Sequence, residues 1–214
     1  METAQLEHWK GQFGNEYTDR CRSCDEVIVT KGRCLEGILT RCGIGKDGSV
    51  LEVGANVGTN LKALRRMGWS GDFFAVEPNG KAYDTLVQDR EIHLKQGFHT
   101  DGFTVPMKDG SVDLVFTCGV LIHVHPDDLL RLCSEVCRVA RSCILCMEYF
   151  SPNPEGKAYR GRSGLLFKRD FGGFYLDHWP HLRLVDYGFL WKRVSFFDDV
   201  NWWLFRKEEP GRAP

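Results

Sequence analysis

The segment VLEVGANVGTN, residues 50–60, constrains the possible folds of this chain more than any other stretch. It starts as a β-branched run, continues into a segment with helical spacing, and carries Gly54 and Gly58 at the junction. Glycine loses much conformational freedom on folding, so its use here indicates that bare backbone is needed, against a ligand or a neighbouring helix. Doubly wound α/β sheets bind their ligands at such a turn.

Strand-like and helix-like segments alternate from residue 49 to residue 150. Strands are predicted by the runs SVLEVG (49–54), DFFAVEP (72–78), EIHLKQG (91–97), VDLVFTCGVL (112–121) and SCILCMEYF (142–150). Helical spacing predicts helices over 59–68, 79–89 and 126–140, and Asn79 is placed to cap the second of them. This alternation predicts an α/β fold with a mainly parallel sheet covered by helices on both faces.

The alternation ends after Phe150. Residues 151–164 are rich in turn formers and predict a loop, and 165–179 predict a helix interrupted by Gly172 and Gly173. Residues 182–193 and 201–207 predict two strands joined by seven residues. That connection is too short for a parallel crossover, so these strands should be antiparallel neighbours.

Composition limits the partners and the setting. The chain has 214 residues and a formal net charge of −1, so we expect one domain and no electrostatic attraction to nucleic acid or to an anionic membrane. No signal-peptide pattern precedes the nine cysteines, which favours a reduced, cytoplasmic setting. No metal site is expected, because Cys143 and Cys146 lie three apart on a predicted strand and should point to opposite faces.

The glycine spacing distinguishes among ligand classes. The sequence Gly54-Ala-Asn-Val-Gly58 lacks the middle glycine of the dinucleotide fingerprint, and no phosphate-binding G-x-x-x-x-G-K motif is present. Glu52 would repel a pyrophosphate but could engage an ammonium group. Glu77 ends the second predicted strand, 23 residues after Gly54, where an acid can bind both ribose hydroxyls.

These motifs resemble a known superfamily. The residues E-V-G-x-x-x-G, followed by a strand ending in Glu77-Pro78, resemble the first two motifs of class I S-adenosylmethionine-dependent methyltransferases, and DGSVDLVFTCGVLIHV resembles the fourth. The segments WKGQFGNEYTDR, EYFSPNPEGKAYRGR, LFKRDFGGFYLD and DYGFLWKR resemble the narrower group of pseudaminic acid biosynthesis-associated methylases. The resemblance implies a doubly wound, mostly parallel, seven-stranded Rossmann-like sheet with an antiparallel last strand.

The resemblance also implies a cofactor, S-adenosyl-L-methionine, with S-adenosyl-L-homocysteine as its product. Its methionine part would lie against the first turn, at Glu52, Gly54, Ala55, Asn56 and Gly58. Its ribose would lie at the second strand end, at Glu77 and Pro78, and its adenine at the third, at Gly97 and Phe98. Its sulfonium would lie above the fourth strand end, at Cys118, Gly119 and Val120. The implied organisation is a helical lid or cap (1–45), a methyltransferase domain (46–207) with a substrate-side insert (151–181), and a frayed tail (208–214).

Candidate catalytic residues lie at the ends of the fourth and fifth predicted strands. Glu148 and Tyr149 could orient an accepting nitrogen or oxygen, and His123 could assist removal of its proton. An acid such as Glu148 within an apolar strand is costly without a partner, although a buried ion pair with an arginine would also explain it. As candidate substrate contacts we select Tyr17, Arg160 and Arg162.

Tyr17 belongs to a stripe with Trp9 and Phe13 that repeats every four residues, as on one helix face. Core packing and a lid over the site both explain such a stripe.

The sequence therefore predicts a methyltransferase that acts on a nitrogen or oxygen of a small polar, zwitterionic metabolite, such as an amino acid, guanidine, amino sugar or sugar acid. It should be a monomer or homodimer. A protein-directed methyltransferase and a non-catalytic domain that kept the cofactor site are the alternatives.

Overall fold

The computed structural model describes residues 3–21 and 24–208. Three helices precede the sheet: α1 (Ala4–Lys10), α2 (Gln12–Arg20) and α3 (Asp25–Leu39). The predicted aromatic stripe therefore spans two helices, with a break at Gly11. At Gly14, a Cβ atom would stand 1.9 Å from the Trp9 carbonyl oxygen, so glycine permits the close approach of the two helices.

A seven-stranded sheet forms the centre of the fold. Its strands are β1 (Val50–Val53), β2 (Phe73–Val76), β3 (Leu94–Phe98), β4 (Val112–Cys118), β5 (Ala140–Glu148), β8 (Leu182–Leu190) and β9 (Val200–Lys207). They lie in the order β3-β2-β1-β4-β5-β9-β8. Strands β1 to β5 are parallel, and β9 runs antiparallel to both of its neighbours. The predicted fold class and the antiparallel last strand are confirmed.

Helices cover both faces of this sheet and enclose two apolar clusters, one on each side. They are α4 (Thr59–Arg66), α5 (Gly80–Gln88), α6 (Pro126–Val139) and α7 (Phe171–His178), with a short α8 (Lys192–Ser195) between β8 and β9. Asn79 caps α5 as predicted, its side chain accepting from the Ala82 N–H at 2.9 Å. Cys143 and Cys146 are fully buried in opposite clusters, as the strand geometry required.

The predicted loop over 151–164 is wrong: part of it forms the hairpin of β6 (Glu155–Tyr159) and β7 (Arg162–Lys168). Arg160 and Gly161 form its turn with φ angles of 51° and 77°. Positive φ at both positions matches the twist of the strands in a tight hairpin. The basic composition of the segment did not indicate these strands.

The predicted helix over 165–179 is also partly wrong. Residues 165–168 belong to β7, α7 begins at Phe171, and Gly172 and Gly173 lie inside α7 without interrupting it. A Cβ atom on Gly172 would stand 2.3 Å from Trp203 Nε1, so this glycine allows α7 to pack on β9. Asp170 caps the helix by accepting from the Gly173 N–H at 2.8 Å. Within the described residues, no helix has the length and apolar character needed to cross a membrane.

Candidate active site

A cavity of about 300 Å³ lies at the carboxyl ends of β1, β2, β4 and β5. Helices α1 and α2, the β6–β7 hairpin and the connection between β8 and β9 surround the rest of it. The predicted position of the ligand site at this sheet edge agrees with the cavity. Of the residues selected from the sequence, Glu52, Gly54, Ala55, Asn56, Glu77, Pro78, Cys118, Gly119, Val120, His123, Tyr149 and Tyr17 line it.

The two glycines of the first turn serve different purposes. Gly54 has a φ of 75°, and a Cβ atom there would stand 2.5 Å from Cγ2 of Val120, on the loop after β4. Gly58 has a φ of 76°, but its Cβ atom would meet Leu86 and Ile92 of the core, at 2.5 and 2.4 Å. Gly58 does not line the cavity, so the structure gives it a packing role in place of the predicted cofactor contact.

Glu77 fixes the shape of the turn. Its Oε2 accepts from the Asn56 N–H at 2.7 Å, and its Oε1 accepts from the Asn79 N–H at 2.8 Å. Asn56 adopts a left-handed conformation, φ 50°, which a non-glycine residue rarely occupies. Burial raises the pKa of Glu77 to about 7 despite these two N–H donors. Each carboxylate oxygen retains a lone pair for a further donor.

Glu52 is held differently, because only one of its oxygens has a partner. Oε1 accepts from the Asn60 side chain at 2.7 Å, whereas Oε2 is buried without a hydrogen bond. Burial raises the pKa of this carboxyl to about 8. Glu52 lines the cavity, and a buried carboxyl oxygen without a partner suits a cationic donor from a ligand.

Further cavity-lining residues carry buried polar atoms without protein partners. They include the acceptors Asn56 Oδ1 and Asn60 Oδ1 and the donors Gln5 Nε2 and Trp9 Nε1. Such atoms are costly in a folded protein unless a ligand satisfies them. The hydrogen-bond acceptors near Glu52 fit an ammonium group, and the two donors on α1 fit a carboxylate. The lining therefore fits a ligand that carries an amino-acid group.

The third strand end differs from the prediction. Gly97 and Phe98 do not line the cavity; Phe98 is packed in the core. Asp101 and Phe103, from the loop after β3, line it in their place. Asp101 Oδ1 accepts from the Phe103 N–H at 3.0 Å, which keeps the acid and the ring together. The chain thus supplies an acid and an aromatic face here, a few residues later than the sequence indicated.

Glu148 is fully buried and does not line the cavity, contrary to its predicted contact with substrate. Its carboxyl accepts from the N–H groups of Val120 and Ile122 at 3.1 and 3.4 Å, and burial raises its pKa to about 7. No arginine pairs with it among the described residues. Glu148 therefore holds the loop after β4 in place, and that loop forms the cavity floor.

His123 does line the cavity. Its Nδ1 lies 2.8 Å from the Leu165 carbonyl oxygen on β7. A carbonyl can only accept, so Nδ1 carries the hydrogen and Nε2 carries the lone pair. Burial lowers the pKa of the imidazole to about 4, which keeps the ring neutral at pH 7.

Tyr149 lies next to Asp198 of the β8–β9 connection, close enough for its hydroxyl to interact with the carboxylate, and both side chains line the cavity. Burial raises the pKa of Tyr149 above its ordinary value. Although burial opposes ionisation of Asp198, hydrogen bonds from Lys192 and Tyr149 lower its pKa. Asp198 is therefore an anion at neutral pH, and the Tyr149 hydroxyl donates to it.

Aromatic rings form the cover of the cavity. The Trp9 ring centroid lies 5.3 Å from that of Tyr17 and 4.5 Å from that of His123, and Tyr159 of the hairpin lies 5.1 Å from His123. Asn79 ties this cover to the sheet edge, donating to the Trp9 carbonyl at 3.0 Å and to Asn15 Oδ1 at 2.9 Å. The cover thus joins the N-terminal helices to the hairpin.

Of the two arginines selected from the sequence, Arg160 does not line the cavity. Arg160 is exposed, with its guanidinium 5.6 Å from the Tyr159 ring centroid, and the side chain of Arg162 lies outside the described part of the structure. Lys31 of α3 is the one lysine or arginine among the described lining residues, and its Nζ lies 4.3 Å from the Phe197 ring centroid. Sequence reasoning missed Lys31, Asp198, Asp101 and Tyr159, because only the tertiary fold brings them to the strand ends.

Residues 51–143 match a family model described as a methyltransferase domain. The match covers β1 to the start of β5, and so includes every strand end that forms the cavity except that of β5.

Solved structures of similar fold cover nearly the whole chain. A SAM-dependent methyltransferase from Aquifex aeolicus is 16% identical with a TM-score of 0.66, over 92% of this chain and 100% of that chain. A Burkholderia thailandensis 1,6-didemethyltoxoflavin-N1-methyltransferase, with 1,6-didemethyltoxoflavin and S-adenosylhomocysteine bound, is 16% identical with a TM-score of 0.70, over 98% and 92%. A Synechocystis PCC 6803 magnesium protoporphyrin IX methyltransferase with bound SAH is 13% identical with a TM-score of 0.67, over 95% and 97%. This chain has the Rossmann-like methyltransferase fold.

Proposed function

We propose that this chain is an S-adenosylmethionine-dependent methyltransferase that transfers a methyl group to a nitrogen or oxygen of a small polar metabolite. The observation that carries the proposal is the unpartnered, buried Oε2 of Glu52 at the glycine turn, with Glu77 beside it. The phosphate groups of a nicotinamide dinucleotide or of another phosphate ligand would place negative charge near these two acids, whereas the adenosyl cofactor offers an ammonium group and ribose hydroxyls.

The cofactor, when bound, supplies an activated methyl group on a sulfonium. Glu52 and Asn60 would hold its ammonium group, and Glu77 its ribose hydroxyls, while Asp101 and Phe103 would hold the adenine. Gly54 lets the turn pack against Val120, and Gly119 leaves the backbone of the loop after β4 open. Cys118 remains an uncharged thiol, because burial raises its pKa to about 12.

The acceptor would bind between the loop after β4 and the aromatic cover. Lys31 and Asp198 have opposite charges, which suits a zwitterionic acceptor. Lys31 takes the anion-binding role that the sequence suggested for an arginine. The cover of Trp9, Tyr17 and Tyr159 would exclude water from the reacting groups, as a methyl transfer between two bound molecules requires.

The size of the cavity and the segment resemblance both favour a small acceptor. A volume of about 300 Å³ lies at the low end for ligand sites, which commonly measure ~300–1,000 Å³. The resemblance to pseudaminic acid biosynthesis-associated methylases places amino sugars and sugar acids among the candidates. Neither feature favours a folded protein as the acceptor.

A methyl-transfer screen tests this function. The protein is incubated with S-adenosylmethionine and each of a set of amino acids, guanidines, amino sugars and sugar acids, and products are read by mass. We expect a methylated product together with S-adenosylhomocysteine for at least one class. The matched control is Glu52→Gln, which removes the charge at the ammonium site and should abolish turnover. Wild-type protein that binds the cofactor but methylates none of these classes would contradict the small-metabolite assignment.

A further inference from the structure

Three groups that line the end of the cavity where the methyl acceptor would bind, His123, Tyr149 and Asp198, offer lone pairs to a ligand. Nδ1 of His123 donates to the Leu165 carbonyl, so the nitrogen left for a ligand is Nε2, which has a lone pair and no hydrogen. No other described residue hydrogen-bonds to this ring. His123 therefore presents a hydrogen-bond acceptor, Nε2, to the cavity.

Tyr149 and Asp198 have the same property. The Tyr149 hydroxyl donates to the Asp198 carboxylate, so the lone pairs on Tyr149 Oη and the remaining lone pairs of Asp198 are what these groups offer. Tyr149 follows β5, Asp198 precedes β9, and both line the cavity with His123. Three acceptors therefore come from three separate chain segments.

A substrate that satisfies these three hydrogen-bond acceptors must bring hydrogen-bond donors. A neutral primary amine has two N–H donors and keeps a lone pair for attack on the methyl carbon. A hydroxyl has a single hydrogen, which satisfies one acceptor at most and must leave during the transfer. Neutral His123 and ionised Asp198 are weak bases towards a hydroxyl proton, because their conjugate acids are far stronger acids than an alcohol.

We propose that the accepting atom is the nitrogen of an amine or amidine, whose N–H groups donate to His123 Nε2 and to the Tyr149–Asp198 pair. This inference rests on the proposed methyltransferase function and narrows it from nitrogen or oxygen to nitrogen. The nitrogen lone pair forms the new bond to the methyl carbon as the bond from that carbon to sulfur breaks. The sulfur keeps the bonding electron pair and becomes a neutral thioether, and the nitrogen becomes cationic and releases one proton to water.

The aromatic cover supports the same choice. The developing positive charge on nitrogen would lie in a cavity whose walls include the rings of Trp9 and Tyr159, with centroids 4.5 and 5.1 Å from that of His123. The faces of such rings attract cations, whereas they do nothing for a neutral ether product. A carboxylate oxygen also needs no base, but it brings no hydrogen to donate to His123, Tyr149 or Asp198.

Matched substrate pairs test the proposal. Each pair has one skeleton and differs only in NH2 or OH: glycine and glycolate, β-alanine and 3-hydroxypropionate, an amino sugar and its parent sugar. Binding to the complex with S-adenosylhomocysteine is measured by calorimetry, and methylation with S-adenosylmethionine by mass. We expect at least one amine to bind on the order of tenfold or more tightly than its hydroxyl partner, with methylation on nitrogen.

Variants at the acceptor end separate this inference from a general loss of structure. Asp198→Asn and Tyr149→Phe should each weaken binding of the preferred amine about tenfold and leave the affinity for S-adenosylhomocysteine within about twofold. The controls are Asp177→Asn and Tyr187→Phe, at exposed positions that do not line the cavity, and they should change neither affinity. The pH profile gives an independent readout: kcat/KM should rise with pH up to the pKa of the free amine and then level off.

The outcomes are distinguishable. Preferred binding and methylation of the hydroxyl member, or a pH profile that is the same for amines of different pKa, would overturn the nitrogen assignment while leaving the methyltransferase function intact. Absence of S-adenosylhomocysteine binding by the wild-type protein would instead overturn the proposed function itself. An Asp198→Asn protein that retains full amine affinity would also overturn the inference.

Discussion

Gly54 and Val120 meet across the cavity floor, where a Cβ atom on Gly54 would stand 2.5 Å from Val120 Cγ2. Two strand ends, those of β1 and β4, thus pack against each other through a position that has no side chain. Because Glu148 holds the Val120 N–H from beneath, Val120 cannot readily move away. The glycine turn and the loop after β4 therefore form one rigid floor.

Gly54→Ala should lower the free energy of unfolding by about 3 kcal/mol, because it adds a steric clash to an unfavourable positive φ angle. Gly68→Ala is the matched control: Gly68 also has a positive φ, 85°, but no atom lies within 4 Å of its Cβ position. We expect the control to cost about 1 kcal/mol in urea denaturation. Equal losses at the two positions would show that contact with Val120 is unimportant.

Glu52 should make stability depend on pH. Its folded pKa of about 8 lies above that of an unfolded glutamic acid, so its contribution is fully present below pH ~4.3 and is lost as the pH rises through 8. Glu52→Gln abolishes this loss. The variant should therefore gain about 3–4 kcal/mol relative to wild type between pH 5 and 8, measured by denaturation without ligand. A constant difference across that range would contradict the raised pKa.

Binding of an ammonium group at Glu52 should release protons. At pH 7 the free protein holds this carboxyl largely protonated, and a cation next to Oε2 favours the ionised form. Titration of S-adenosylhomocysteine in buffers of different ionisation enthalpy should show release of about one proton per ligand. The methylthioadenosine fragment, which lacks the amino-acid group, is the control and should release fewer protons.

The amide nitrogen of Asn79 should anchor helices α1 and α2, and its side-chain oxygen should cap α5. Asn79→Asp keeps an oxygen for the Ala82 N–H but loses the donors to the Trp9 carbonyl and Asn15. We expect hydrogen exchange to become faster in α1 and α2 while α5 is unchanged. Asn79→Ala should affect all three helices. If the aspartate variant protects α1 and α2 as wild type does, the amide is not their anchor.

Sequence patterns identified the cavity-lining residues that lie at the end of a single strand. Glu52, Gly54 and Glu77 lie at the ends of β1 and β2, where alternation and spacing identify both the strand and its ligand-facing turn. Gly58 was assigned to the cofactor because a glycine motif does not reveal which atoms crowd it. Here those atoms belong to Leu86 and Ile92, which are distant in sequence.

The acceptor end could be predicted only in part. His123 and Tyr149 follow identifiable strands, but Lys31 and Asp198 reach the cavity from α3 and from a connection between antiparallel strands. No periodicity marks either residue. Glu148 was correctly identified as an acid that needs partners, yet those partners are the backbone N–H groups of a loop, which have no signature in a sequence.

Calorimetric titration of S-adenosylhomocysteine into the wild-type protein tests the central claim most directly. We predict saturable binding at one site per chain, with affinity at least about tenfold weaker in Glu52→Gln, whose folding is checked by its thermal unfolding. Asp177→Asn, at an exposed position outside the cavity, should bind as wild type does. Absence of saturable binding to folded wild-type protein would contradict the assignment of this cavity to an adenosyl cofactor.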